Sequence, residues 1–216
     1  SNAGVVAADV TGVGTSRGYL AACNYSANRD KGIFAYGTTG SVVSVSNLVS
    51  NAGVVATDTT GVGTARNYPA ACEYGGDKGI FAYGVVGPDN MSNLVSNLGV
   101  VGTDVTGVGS ARQNPAACSY SSDKGIFGYG NPDVSMTNLV SNTGVVSTDV
   151  TGVGTGRDQL AACEYGSDKG IFGYGNPGVG GDLTANTNLV SNTGVVSTDV
   201  TGVGTPRRLP QACSFN

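Results

Sequence analysis

Five arginines stand at matching places along the chain: Arg17, Arg66, Arg112, Arg157 and Arg207. Gathered in a ring, planar guanidinium groups can grip an anionic sugar or a phosphate through paired hydrogen bonds. The competing reading is structural: each arginine pairs with the equally regular Asp9, Asp58, Asp104, Asp149 or Asp199, or satisfies loop carbonyls. Strict repetition is what a scaffold role predicts, so the structural reading is preferred for the arginines. The residues just after them vary and include Tyr19, Tyr68, Asn114 and Asp158. Exposed aromatic rings stack on sugars, which makes Tyr19 and Tyr68 the strongest single candidates for a ligand face. Asn114, Asp158 and the five arginines complete the candidate set.

Other chemistries are poorly supplied. The chain has no histidine, which removes Ser-His-Asp and Cys-His catalysis and histidine metal sites. The five cysteines fall one to a segment without a CxxC pair, so zinc spacing is missing and small buried hydrophobes are expected. Free thiols fit assembly in a reducing cytoplasm. Asp133, Asp158 and Asp182 lie in variable segments without calcium-loop spacing. A glycosidase needs two carboxylates in a cleft, and the scarce acids here mostly repeat. The Asp30-Lys31, Asp77-Lys78, Asp123-Lys124 and Asp168-Lys169 pairs read as solvated turn charges. No catalytic residue, metal or cofactor is expected.

The elements that must position these residues come from a repeat. Segments reading SN-x-GVV begin at Ser1, Ser50, Ser96, Ser141 and Ser191, spaced by 49, 46, 45 and 50 residues. Cys23, Cys72, Cys118, Cys163 and Cys213 repeat the same spacings. KGIF occurs four times, from Lys31, Lys78, Lys124 and Lys169, so residues 1–216 hold four full units and about half of a fifth in a single repeat domain. Valine, threonine and glycine fill each unit and no helical stripe appears. Four strands are expected per unit: in the fourth, a from Leu160 to Cys163, b from Gly170 to Gly175, c from Thr187 to Ser191 and d from Gly194 to Val200. A period of 45 to 50 residues, small Ala-Ala-Cys inner strands and bulky b strands together predict an all-β propeller of about five four-stranded blades.

The run from Arg157 to Cys163 followed by the aromatic-glycine strand Gly170 to Gly175 resembles the kelch-type blade. It departs from that pattern in carrying Gly173-Tyr174-Gly175 in place of a glycine pair, and in having no tryptophan. The near-identical units are also similar to repetitive proteins of tailed phages and aquatic environmental sequences. That likeness implies a virion or tail-fibre component at a virion or extracellular surface.

Strand order runs d, four a-b-c-d sets, then a lone a, with Gly4 to Val10 the surplus d and Gln211 to Phe215 the surplus a. Closure is therefore expected from a longer parent chain or a neighbour, or four blades close with the extra strands outside; unpaired edges are association templates. Ser1-Asn2-Ala3 matches a tag remnant, yet Ser50-Asn51-Ala52 repeats it internally. The sequons at Asn24 and Asn90 matter only in a secreted eukaryotic protein. Variation gathers after the arginine and between b and c, two connections on one face of an antiparallel blade, where loops carry recognition. The net charge of −4 argues against a nucleic-acid partner, and no run reaches the roughly 20 apolar residues of a membrane span. The expected function is noncatalytic surface attachment or recognition, with a glycan or cell-surface receptor as partner. The alternative is a structural assembly protein, a virion or filament component that joins neighbours through unpaired strands.

Overall fold

The computed structural model describes residues 8–86, 89–178 and 182–214. Among the described residues, twelve strands form four separate antiparallel sheets of three strands, each wound in chain order. The first holds β1 (Ala21–Asn24), β2 (Gly32–Ala35) and β3 (Ser46–Val49); the second holds β4 (Ala70–Tyr74), β5 (Lys78–Ala82) and β6 (Ser92–Val95). The third holds β7 (Ala116–Tyr120), β8 (Lys124–Gly128) and β9 (Thr137–Val140); the fourth holds β10 (Ala161–Tyr165), β11 (Lys169–Gly173) and β12 (Thr187–Val190). The protein is all-β: the described residues contain no helix, hence none able to cross a membrane.

Each middle strand stops at the same place for a backbone reason. Tyr36, Tyr83, Tyr129 and Tyr174 adopt φ of 63° to 65°, and the glycine after each lies at 106° to 115°. A left-handed tyrosine is uncommon and costs strain, so the surroundings must hold it. They do: the Tyr36, Tyr83 and Tyr129 rings are buried, and their hydroxyls donate to the carbonyls of Val62, Val108 and Val153.

The expected fourth strand d is present only as isolated bridges. Val196 pairs with Val190 and Val200 with Thr187, and the other units repeat this. Four residue steps on one side must match three on the other, so the ladder is broken by a bulge. The surplus d, Gly4 to Val10, lies mostly outside the described residues, and 8–10 form no strand. Of the surplus a, residues 211–214 are not in a strand and Phe215 lies outside the described residues, as does Ser1-Asn2-Ala3.

Neighbouring sheets interlock by a fixed set of contacts. Tyr36 meets the edge of Phe81 at 5.4 Å between centroids, Tyr83 meets Phe127 at 5.4 Å, and Tyr129 meets Phe172 at 5.1 Å. These phenylalanines are fully buried, each contributing about 2 kcal/mol by area alone. Register places cysteine opposite isoleucine, as in Cys72 with Ile80, and the cysteine sulfur packs onto the KGIF glycine of the next sheet. Glycine is required there because any Cβ would collide with sulfur. The first strands β1, β4, β7 and β10 lie side by side and, with Ala212, Cys213 and Ser214, line a central cavity of about 990 Å³.

Candidate functional site

The repeated arginines are held between sheets. Arg66 lies over the Tyr36 ring at 4.1 Å, Arg112 over Tyr83 at 4.0 Å, Arg157 over Tyr129 at 4.3 Å and Arg207 over Tyr174 at 4.1 Å. Nη2 of Arg66, Arg112 and Arg157 donates to Oδ1 of Asn93, Asn138 and Asn188 at 2.7, 2.6 and 2.7 Å. Arg17, Arg112 and Arg157 stand 4.0, 3.9 and 3.9 Å from Asp58, Asp149 and Asp199. Burial lowers the pKa of Arg112 and Arg157, with Tyr83 and Asp149, or Tyr129 and Asp199, opposing it. Arg66, Arg112 and Arg157 are buried, Arg17 is half-buried, and Arg207 is exposed. The cation is met by the tyrosine ring and the asparagine oxygen, while Nε of Arg66 and Arg112 is buried without a partner and that of Arg157 donates to Tyr174 O at 2.8 Å.

The variable residues after the arginines form a different structure. Tyr19, Tyr68, Asn114, Gln159 and Leu209 all adopt φ of 53° to 55°. Tyr68 N donates to Tyr19 O at 3.0 Å, Asn114 N to Tyr68 O at 3.3 Å, and Leu209 N to Gln159 O at 2.8 Å. Their backbones thus join across the first three units and again across the last two, with no such bond between Asn114 and Gln159. Tyr19 and Tyr68 stack at 4.2 Å with ring planes 32° apart, and Tyr19 is 53% exposed. The preceding residues pair with the start of the b-to-c loops: Gly18 with Thr38, Asn67 with Val85, Gln113 with Asn131 and Asp158 with Asn176. Both variable regions therefore meet on one face.

Asp158 does not stand with Tyr19 and Tyr68 on that surface; it is buried one position earlier. Burial and the nearby Asp133 raise its pKa, against hydrogen bonds from Asn114 and Gln159. Its Oδ1, Asn67 Oδ1 and Gln159 Oε1 are buried acceptors without a protein partner. Between the second and third sheets the same face opens a smaller cavity of about 250 Å³, lined by Asp89, Arg112, Gln113 and Asn131 among others. Gln159 and Leu209 were not among the sequence candidates, though a fixed offset of two from each arginine marks them.

The opposite end of the central cavity holds a feature the repeat pattern hides. Arg29 Nη1 meets Glu164 Oε2 at 2.9 Å and its Nε meets Glu73 Oε2 at 3.1 Å, joining the first, second and fourth units. Burial raises the pKa of Glu73, and Arg29 lowers it only in part. The signal was a length difference: Cys23 and Lys31 lie eight positions apart, whereas the other three Cys-to-Lys spacings are six. Among the described residues no three acids or cysteines gather as a metal site. Comparison with known proteins finds no family model and no curated protein that matches the chain, so the kelch-type and phage likenesses rest on the quoted residues alone.

Proposed function

We propose that the protein is a noncatalytic recognition module, a kelch-like propeller of five-bladed plan that attaches to a carbohydrate or a glycosylated receptor at a virion or extracellular surface. The observation that carries this reading is the stacked, partly exposed Tyr19–Tyr68 pair, with the unpartnered Asn67 Oδ1 at the adjoining position. An open aromatic face suits the apolar side of a sugar ring, and an unpartnered acceptor suits a hydroxyl donor. A rigid scaffold bearing interchangeable side chains is the usual design of a recognition surface.

The test is titration of neutral and acidic oligosaccharides by calorimetry, with Tyr19→Ala and Tyr68→Ala beside the parent chain. A bound glycan whose affinity falls about tenfold in either variant, roughly 1.4 kcal/mol, with an unchanged denaturation midpoint, supports the reading. Unchanged affinity removes both tyrosines from the site.

A second reading, assembly with neighbours, is favoured by a separate observation. Phe34, Tyr165 and Leu189 are 38%, 37% and 39% exposed, while Phe81, Phe127 and Phe172 are fully buried. Apolar surface of this kind, beside unpaired strand edges, invites a partner.

A further inference from the structure

We propose that the open side between the fourth and first sheets binds a two-stranded β-hairpin whose strands carry Gly-Ile-Phe-x-Tyr and Asn-Leu-Val. This rests on the assembly reading and names its partner; it is independent of glycan recognition.

Three rules govern the interfaces between neighbouring sheets, and each is left half-satisfied at the open side. Cys23, Cys72 and Cys118 place Sγ 2.5, 2.5 and 2.6 Å from where a Cβ on Gly79, Gly125 and Gly170 would stand. Among the described residues Cys163 has no such glycine opposite, and it is half-buried. Tyr36, Tyr83 and Tyr129 each receive the edge of the next phenylalanine. Among the described residues the Tyr174 ring receives Arg207 and no phenylalanine edge, and Phe34 stands exposed on the other side. Tyr25 with Leu48, Tyr74 with Leu94, and Tyr120 with Leu139 close around Gly99, Gly144 and Gly194. Tyr165 and Leu189 are exposed instead, and Gly53 has nothing within 4 Å of its Cβ position. One face thus carries the knobs and the other the sockets of the same contact.

Part of the next unit is already seated. Gly175 N donates to Arg207 O at 2.9 Å, Leu209 N to Gln159 O, and Ala212, Cys213 and Ser214 line the central cavity where inner strands lie. The chain has five cysteine segments and four KGIF segments, so the described residues supply this position with an inner segment and no middle strand. A Gly-Ile-Phe-x-Tyr strand provides the glycine for Cys163, the phenylalanine for Tyr174 and the tyrosine for Phe34. It also pairs with the backbone of residues 211–214, and an Asn-Leu-Val strand follows as its outer neighbour. A second copy of this chain is a poor donor. Its KGIF strands β2, β5, β8 and β11 are all central in their sheets, paired on both edges, and lending one breaks a sheet.

The probe is a synthetic hairpin with the sequence of residues 121–142, added to a Cys213→Ser chain. Binding is read by calorimetry and by the rate at which Cys163 reacts with a thiol reagent. A one-to-one complex that slows that reaction at least tenfold is expected. A hairpin with valine at the position of Gly125, and a Phe34→Asp chain, should each lose binding. Because a free hairpin can be unstructured, the same sequence is also fused behind residue 216. The fusion should raise the denaturation midpoint and protect Cys163, and its glycine-to-valine form should do neither. If hairpin and fusion have no effect and the chain stays monomeric across a concentration series, both the hairpin and assembly through this face are overturned. If they have no effect but the chain forms oligomers that Phe34→Asp dissolves, the hairpin is overturned and assembly between copies stands.

Discussion

The Cys72 sulfur and Gly125 share one site between two sheets: a Cβ on the glycine would stand 2.5 Å from Sγ. Cys72 is buried on β4, and Gly125 is the second residue of β8, opposite Val140 on one edge and Ser119 on the other. Gly125→Ala should therefore destabilise the protein by about 1–3 kcal/mol through overpacking. Adding Cys72→Ala should recover part of that loss, because it removes the colliding atom. Urea denaturation of the two single variants and the double variant measures the coupling. Additive effects would show that the two residues do not compete.

The repeated aspartates should give the protein an acid-sensitive stability. Burial pushes Asp149 up, but hydrogen bonds from Asn138 and Ser110 outweigh it and hold its pKa below the ordinary value. Asp58, Asp104 and Asp199 are lowered as well. A carboxyl whose folded pKa lies below its unfolded value of about 3.9 stabilises the fold above that value. The contribution is lost as pH falls through the folded pKa. The denaturation midpoint should hold down to about pH 5 and fall below about pH 4. Asp149→Asn should flatten the fall, and a midpoint indifferent to acid would contradict this account.

Arg29→Ala should expose a conflict between Glu73 and Glu164. Both carboxylates are buried, and Arg29 bonds to each. Removing a buried cation costs about 3–5 kcal/mol; since the Arg29 side chain is 28% exposed, about 1–3 kcal/mol is expected here. Glu73 has a raised pKa, so its protonated form favours the fold and acidification should restore part of the loss. Denaturation of the variant at pH 7 and pH 5 tests the sign. A deficit that widens on acidification would show that the carboxylates do not share the arginine.

The cysteines should react in a fixed order. Cys213 is exposed, Cys163 half-buried, and Cys72 and Cys118 buried. Burial raises the thiol pKa of Cys163, pushes Cys23 up to about 12, and raises Cys72 and Cys118 strongly. The thiolate is the reactive form. A thiol-reagent time course at pH 8 should show Cys213 first, Cys163 next, and Cys72 and Cys118 only on unfolding. Early modification of Cys118 would mean that the sheet interfaces open readily.

Much of the fold was legible because the repeat prints its own boundaries. Gly-Ile-Phe and Asn-Leu-Val segments became strands in all four full units. The fourth strand was less legible: the run from Gly194 to Val200 has strand composition, but its step count against β12 shows only when the two are paired. The left-handed Tyr174 was invisible, since tyrosine seldom takes that conformation and it is held by contacts that only the fold supplies, Arg207 over its ring and Val203 O accepting from its hydroxyl. At the candidate site, Tyr19 and Tyr68 drew notice by ring chemistry. Leu209 occupies the same backbone position with no chemistry to advertise it. Arg29 was hidden by its identity: among repeated arginines, only its two-residue displacement marked it as different.

The shared φ of 53° to 55° at Tyr19, Tyr68, Asn114, Gln159 and Leu209 has an engineering consequence. A left-handed backbone tolerates unbranched side chains and resists valine, isoleucine and threonine, and none of those three occupies any of the five positions. Because each position is tied to at least one neighbour through main-chain groups, each behaves as a socket into which a different letter can be set. Five sockets read around one face form a short word that can be rewritten while the grammar beneath it stays fixed. A library randomised at these positions, with proline and the branched residues left out, would explore new surfaces while leaving the sheets intact.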